Sequence, residues 1–331
     1  MFMQLADILG PILCISAIGY ILGRSSVGIE TRTLSTVVIL IATPSLIFHT
    51  LTSLHVTGDT IETMAGAAVL CVAIAGALGL LTLLLLRGPV RSFLPPLMMP
   101  NSGNMGLPLV VLTFGPEGMP LGVAYFFVVA LLQNSLGLSI YAGSLRLKVI
   151  FRQPLIYAVL AVLVVTWADI QVPKIILTTT EMLGGMMVPA MLLLLGASLA
   201  TLKVEDLRPA LLVAVGRLGF GVISALVVIW LLGLSGMVAG TVFLMATMPT
   251  AILMFVFAER YQHDAKQVAG SVVVSTLLTF ACLPLIVWAA LEISELNSEA
   301  EASLPSSSIT PHSASLAQLP SEVRGPDART Y

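Results

Sequence analysis

An all-helical integral membrane protein, with ten transmembrane helices arranged as two inverted repeats of five, is the fold class this sequence predicts. Three observations predict it: a composition too poor in charge for water, ten apolar runs whose connecting loops alternate in basic content, and proline motifs that recur at a near-constant spacing.

Of 331 residues, 57% are apolar and 10% charged, and the mean hydropathy is +1.03. A soluble domain carries about 25% charge. This chain could not cover a water-facing surface with polar groups, so its solvent is lipid. A net charge of −2 without a basic cluster argues against a nucleic-acid partner. Cys14, Cys71 and Cys282 all lie inside apolar runs and read as small packing residues, not as a disulfide or metal framework. No cofactor is expected. The opening stretch to Arg24 has no positive n-region and no small-residue cleavage site, so it reads as a retained first helix.

A hydrocarbon core of about 30 Å needs roughly 20 apolar residues of helix. The apolar runs place spans at 5–23, 34–54, 63–86, 93–114, 120–145, 153–170, 182–202, 209–233, 237–258 and 268–291. The sixth is cut short by Asp169. The two repeats then occupy 1–145 and 146–292. From about Ser294 the chain turns to Ser, Pro, Ala and Glu with no apolar period, so residues 293–331 are predicted as a disordered tail.

Basic residues set the orientation. The odd loops hold Arg24, Arg32, Arg87, Arg91, Arg146, Lys148, Arg152, Lys203, Arg208, Arg260 and Lys266; the even loops hold Lys174 alone. By the positive-inside rule the odd loops are cytoplasmic and both termini face outward from a plasma membrane. A missed or invented helix would scramble this alternation.

Internal similarity supports the repeat. Span two carries TPSLIFHTLTS and span seven VPAMLLLLGASL, with Pro44 and Pro189 standing 145 residues apart. Spans four and nine carry GLPLVVLTFGPEG and TMPTAILMFVFAERY, with Pro108 and Pro249 standing 141 apart. Five helices per half is an odd number, so the second half enters the membrane in the opposite sense. Secondary transporters use such inverted repeats to alternate access.

Span four contains PNSGNMGLP, where two prolines bracket two asparagines and two glycines near its midpoint, Gly103 and Asn104. Proline removes an amide donor and clashes with the preceding turn, and glycine loosens the backbone, so a continuous helix is not expected. Span nine is expected to break at Thr247–Met248–Pro249, ahead of Thr250. Irregular backbone at that depth is tolerated only where it is buried or lines a cavity. Pro108 and Pro249 suit the first turn of a half-helix, and the free amides that follow, at the positive dipole end, suit an anion. Asn101 and Asn104 add uncharged donors. Asn134, Ser135 and Gln133 in span five, and Ser275 and Thr276 in span ten, are polar enough to line the same cavity.

PNSGNMGLPLVVLTFG, MPTAILMFVFAERYQHD with the following SVVVSTLL, and VPAMLLLLGASLA together resemble the auxin efflux carrier family, over about residues 5–291. That family holds plant PIN proteins and bacterial permeases often labelled malonate transporters. The resemblance implies a fold related to bile-acid/sodium symporters, with the fourth and ninth helices broken and crossing at the substrate site. It implicates Asn101, Asn104, Pro108 and Pro249. It also implies a dimerising scaffold of helices one, two, six and seven, and a mobile, elevator-like domain of the other six. The very short loop between spans five and six departs from plant PINs, so their regulation does not transfer, and indole-3-acetate is not implied.

Arg217, about eight residues into span eight, is an intramembrane cation and thus a candidate for balancing a substrate carboxylate, gating or holding a cavity carbonyl; its stem could also snorkel to the inner interface. His49 reads as a hydrogen-bonded packing residue, and Glu259, Arg260, His263 and Asp264 as a solvated helix end. No span centre carries an acid, which argues against a pump driven by paired carboxylates. The leading expectation is a permease for a mono- or dicarboxylate such as malonate or malate. Proton or sodium coupling is open, lipids surround it, and a homodimer forms through the scaffold helices. The alternatives are a sodium symporter of the bile-acid type and a non-transporting receptor or scaffold. An enzyme is not expected, since there is no HExxH motif and no aspartate pair facing across helices.

Overall fold

The computed structural model describes residues 2–25, 30–53, 58–144, 153–168 and 170–302. Arg146, Lys148, Arg152, Asp169 and residues 303–331 lie outside the described residues. Among those described there is no strand, and the one extended pairing is an isolated antiparallel bridge between Pro100 and Thr250.

The helices follow the predicted spans. Span one is α1 (Phe2–Arg24); span two is α2 (Thr31–Val37), a π-turn, and α3 (Thr43–Ser53). Span three is α4 (Gly58–Leu85). Span four divides into α5 (Val90–Met98) and a second piece, a π-turn over Ser102–Gly106 running into α6 (Leu107–Phe114). Span five is α7 (Met119–Leu132), a π-turn over Gln133–Gly137, and α8 (Leu138–Ala142). The second half gives α9 (Pro154–Trp167), α10 (Lys174–Gly185) with α11 (Met187–Thr201), α12 (Leu207–Leu232), α13 (Gly236–Ala246) with α14 (Ile252–Tyr261), and α15 (Ala265–Ala302).

Seven of these runs are long and apolar enough to cross a bilayer, and the chain is an integral membrane protein. The other three apolar helices, Ser102–Phe114, Pro154–Trp167 and Gly236–Ala246, fall on spans four, six and nine. Spans four and nine are short because each is divided. Span six is short in itself: α9 has 14 residues, about 21 Å of helix, and ends on Trp167, which is 92% exposed and of a type that settles at membrane interfaces.

One boundary needs correcting. α15 continues past 292 to Ala302, through the start of the predicted disordered tail. The residues there, ELNSEAEA, are largely Glu, Ala and Leu, which favour helix without any apolar period.

Two packing groups emerge. α1 lies along α11, and α3 lies against α9 and α10. The remaining helices gather around α4 and α12, with α4 on α5 and α7, and α12 on α4, α5, α13 and α15. Small residues set the closest approach in the first group. A Cβ on Gly196 would stand 1.9 Å from the Ser16 carbonyl oxygen, and one on Gly19 would stand 2.3 Å from that of Leu193. With lipid tails as apolar as leucine, such close packing is what holds membrane helices together.

Candidate functional site

Both breaks begin at a Met-Pro pair. A residue ahead of proline is pushed out of helical space by the ring. Accordingly α5 ends at Met98, Met99 turns extended (φ −98°, ψ 107°), and Pro100 follows; α13 ends at Ala246, two residues before Met248 and Pro249. This refines the prediction. The break in span four lies at the leading edge of the PNSGNMGLP run, at Met99–Asn101, and Pro108 stands in the first turn of α6, which the π-turn over Ser102–Gly106 joins to the break. Pro249 lies in the unwound stretch, and α14 starts only at Ile252, with Ala251 as its N-cap.

The two unwound stretches pair with each other. The Asn101 amide donates to the Pro249 carbonyl at 2.7 Å, and the Ala251 amide donates to the Met99 carbonyl at 3.1 Å. Side chains satisfy the loose ends. Gln133 Nε2 donates to the Pro100 carbonyl at 2.8 Å, Thr250 Oγ1 to that of Pro96 at 3.0 Å, and the Thr250 amide donates to Ser275 Oγ at 3.1 Å. The amides at the second break are therefore partly spent, against the expectation that they stand free.

What stays open are the first amides of each second piece, since helical geometry leaves the leading N–H groups without intrahelical partners. After the first break, Asn101 O takes the amides of Met105 and Gly106. The latter bond, and that from Leu107 to Ser102, widen the turn into a π-turn, a feature common at functional sites. Proline at 108 removes the donor that would otherwise pair with the Asn104 carbonyl. Ser102, Gly103 and Asn104 head this piece; Ile252 and Leu253 head α14.

Both ends meet one cavity of about 220 Å³. Asn101, Gly103, Asn104 and Asn134 line it, as predicted candidates, together with Gln133. Pro108, Thr247, Pro249, Thr250, Arg217, Ser275 and Thr276 do not; of these, Arg217, Thr250 and Ser275 tie the crossover together from outside the cavity. Thr247 and Thr276 return their hydroxyls to their own helices, onto Phe243 at 2.8 Å and Val272 at 2.7 Å. Ser135 does the same onto Leu131 at 2.6 Å. Sequence reasoning missed Ser35, Thr43, Phe126, Gln153 and Met191, which the packing of α2, α3, α7, α9 and α11 brings to the same wall. No lining side chain among the described residues carries a charge.

Polar groups here keep unused capacity. Asn101 is 5% exposed, and its Nδ2 has no partner. Ser102 Oγ beside it is also unpartnered. Asn134 spends its own Nδ2 on the Ala130 carbonyl at 2.9 Å. An unpaired buried donor costs about 1–3 kcal/mol.

Arg217 is 1% exposed and does not snorkel. Its guanidinium donates to the carbonyls of Leu97 (2.9 Å), Met248 (3.1 Å) and Ala246, so it ties together the ends of α5 and α13. Gly221, one turn on, makes room for it: a Cβ there would stand 2.5 Å from the Ala246 carbonyl oxygen and 3.1 Å from Arg217 Nη2. Gly221→Ala should therefore lower the apparent Tm of the purified protein by several degrees, whereas Gly219→Ala, with nothing within 4 Å, should leave it unchanged.

His263 and Asp264 prove more than solvated: Asp264 accepts the Ser92 hydroxyl at 2.5 Å, and His263 packs 6.2 Å from the Tyr141 ring. His49 Nδ1 is buried without a partner.

Comparison with known proteins bears on this geometry. A sequence model described as membrane transport protein matches residues 6–147 and 143–289. An uncharacterized transporter of Methanothermobacter thermautotrophicus is 30% identical over 303 residues, which cover 86% of this chain and 98% of that protein. An uncharacterized transporter of Methanocaldococcus jannaschii is 24% identical over 277 residues, covering 78% and 89%.

Proposed function

Because the chain belongs to the membrane transport protein family, that of the auxin efflux carriers, and is a membrane transporter, we propose that it is a permease carrying a small organic anion, a mono- or dicarboxylate such as malonate or malate. One observation carries this reading. The leading residues of both second helical pieces and the uncharged amides of Asn101, Asn104 and Asn134 line one cavity, and among the described residues no acidic side chain lines it to repel an anion. Helix N-termini attract negative charge through both their free amides and their dipoles.

The proposal includes ten crossings in two inverted repeats. The crossover supports it: the pair Asn101–Pro249 and the pair Ala251–Met99 exchange places under a single shift of 150 residues. The packing supports it too, since the first helix of each half lies against the second span of the other, α1 on α11 and α9 on α3. These helices form the proposed scaffold, which also dimerises, and the group around α4 and α12 carries the substrate past it like an elevator. The cavity is lined by Ser35 near the start of α2 and by Gln153 just ahead of α9, both next to odd loops. With odd loops cytoplasmic and both termini outside the plasma membrane, this is an inward-open state.

Purified protein in liposomes tests the proposal. Labelled malonate, malate and benzoate are offered with sodium and proton gradients imposed separately. Saturable counterflow of at least one of them is expected, with no movement of choline. Choline flux with no carboxylate counterflow would sink it.

A further inference from the structure

We infer that Arg217 is a tethered counter-cation that gives the crossover its positive sign, without touching the substrate and without need of a bound sodium ion. This rests on the reading of the cavity as an anion site.

A crossover of two broken helices brings together four helix ends. The leading ends of Ser102–Phe114 and Ile252–Tyr261 each carry roughly half a positive charge, and the trailing ends of α5 and α13 roughly half a negative one. Unassisted, these contributions cancel, and the crossover has no preference for either sign. Broken-helix carriers commonly place a coupling sodium at such trailing carbonyls. Here the guanidinium already holds them: Leu97 in the last turn of α5, Ala246 at the end of α13, and Met248 in the unwound stretch. Arg217 is buried, and no ion pair to it occurs among the described residues. Its full positive charge therefore offsets the two trailing ends and leaves the leading ends dominant. It also stands close behind the site, since Met248 adjoins Pro249, whose carbonyl takes the Asn101 amide.

A thiol placed in the cavity reports this field with no substrate required. Asn104→Cys is made with Cys14→Ala and Cys282→Ala, and its alkylation by iodoacetamide is followed against pH in the detergent-purified full chain. A charge at about 10 Å in a partly desolvated site shifts a thiol by roughly one pH unit. The rate midpoint should accordingly rise by about one unit in Arg217→Met and Arg217→Gln. It should stay near the parent value in Arg217→Lys, which keeps the charge but not the three fixed bonds. A merely structural role makes all three substitutions alike, and that result overturns the inference. So does a parent midpoint that moves when sodium chloride replaces choline chloride, an arm that needs no Arg217 variant to fold. A thiol unreactive at every pH would close the cavity and overturn the anion-site reading with it. A reactive thiol indifferent to Arg217 overturns this inference alone.

Discussion

Asn101→Ala should reduce carboxylate counterflow in liposomes at least tenfold, and Asn101→Ala with Asn104→Ala more than a hundredfold, while both proteins should elute and melt like the parent. The size follows from the bonds at stake. A hydrogen bond to a charged acceptor contributes about 1.5–3 kcal/mol, and each 1.4 kcal/mol is a factor of ten. The survival of the fold follows from the same geometry. Asn101 Nδ2 has no protein partner, so truncating it strands no group, and Asn104 is only partly buried. The backbone links that hold the crossover, Asn101 N to Pro249 O and Ala251 N to Met99 O, use main-chain atoms that alanine retains. Measured flux beside a melting curve separates the two effects. Wild-type counterflow in the double variant would remove the proposed site, whereas loss of both flux and melting temperature would make Asn101 a folding residue.

The helices could be read from the chain because lipid imposes one rule on every span, about 20 apolar residues, and ten runs satisfied it. Three came out shorter for reasons already written in the residues: Met99–Pro100 and Met248–Pro249 divide spans four and nine, and span six is simply brief. The residues between Pro100 and Pro108 mark where span four breaks, but not at which end of the run. The residue before a proline bears the steric conflict, and both true breaks share the Met-Pro pair. The cavity was half visible. Asn101, Gly103, Asn104, Gln133 and Asn134 belong to polar runs inside apolar helices, which stand out by composition. Ser35 and Gln153 sit near span ends, where polar residues are ordinary, Thr43 is a lone threonine beside Pro44 at mid-span, and only the packing of three helices assigns them to a wall. The partners of Arg217 were invisible for a further reason. They are main-chain carbonyls, and a carbonyl has no letter in the sequence.

Gly196→Leu should leave no folded protein to measure, and Gly196→Ala should already lower the melting temperature by several degrees. α1 and α11 approach until the Gly196 Cα meets the turn around Ser16, where an added Cβ would stand 1.9 Å from the Ser16 carbonyl oxygen and 2.7 Å from the Tyr20 nitrogen. Both obstacles are backbone, so no rotamer change relieves them; the helices themselves must separate. Separation then costs the contacts around Gly19 and Gly23, the latter with a Cβ position 3.0 Å from Ala197 Cα. Overpacking in a well-filled core costs about 1–3 kcal/mol where side chains can yield, and this site exceeds that range because they cannot. Gly66→Ala is the control. Gly66 faces outward on α4 with nothing within 4 Å, so its variant should melt with the parent. A Gly196→Ala protein as stable as Gly66→Ala would mean that α1 does not lie against α11. The pairing of each half's first helix with the other half's second span would then lose its better-packed example, and with it much of the support for an inverted repeat.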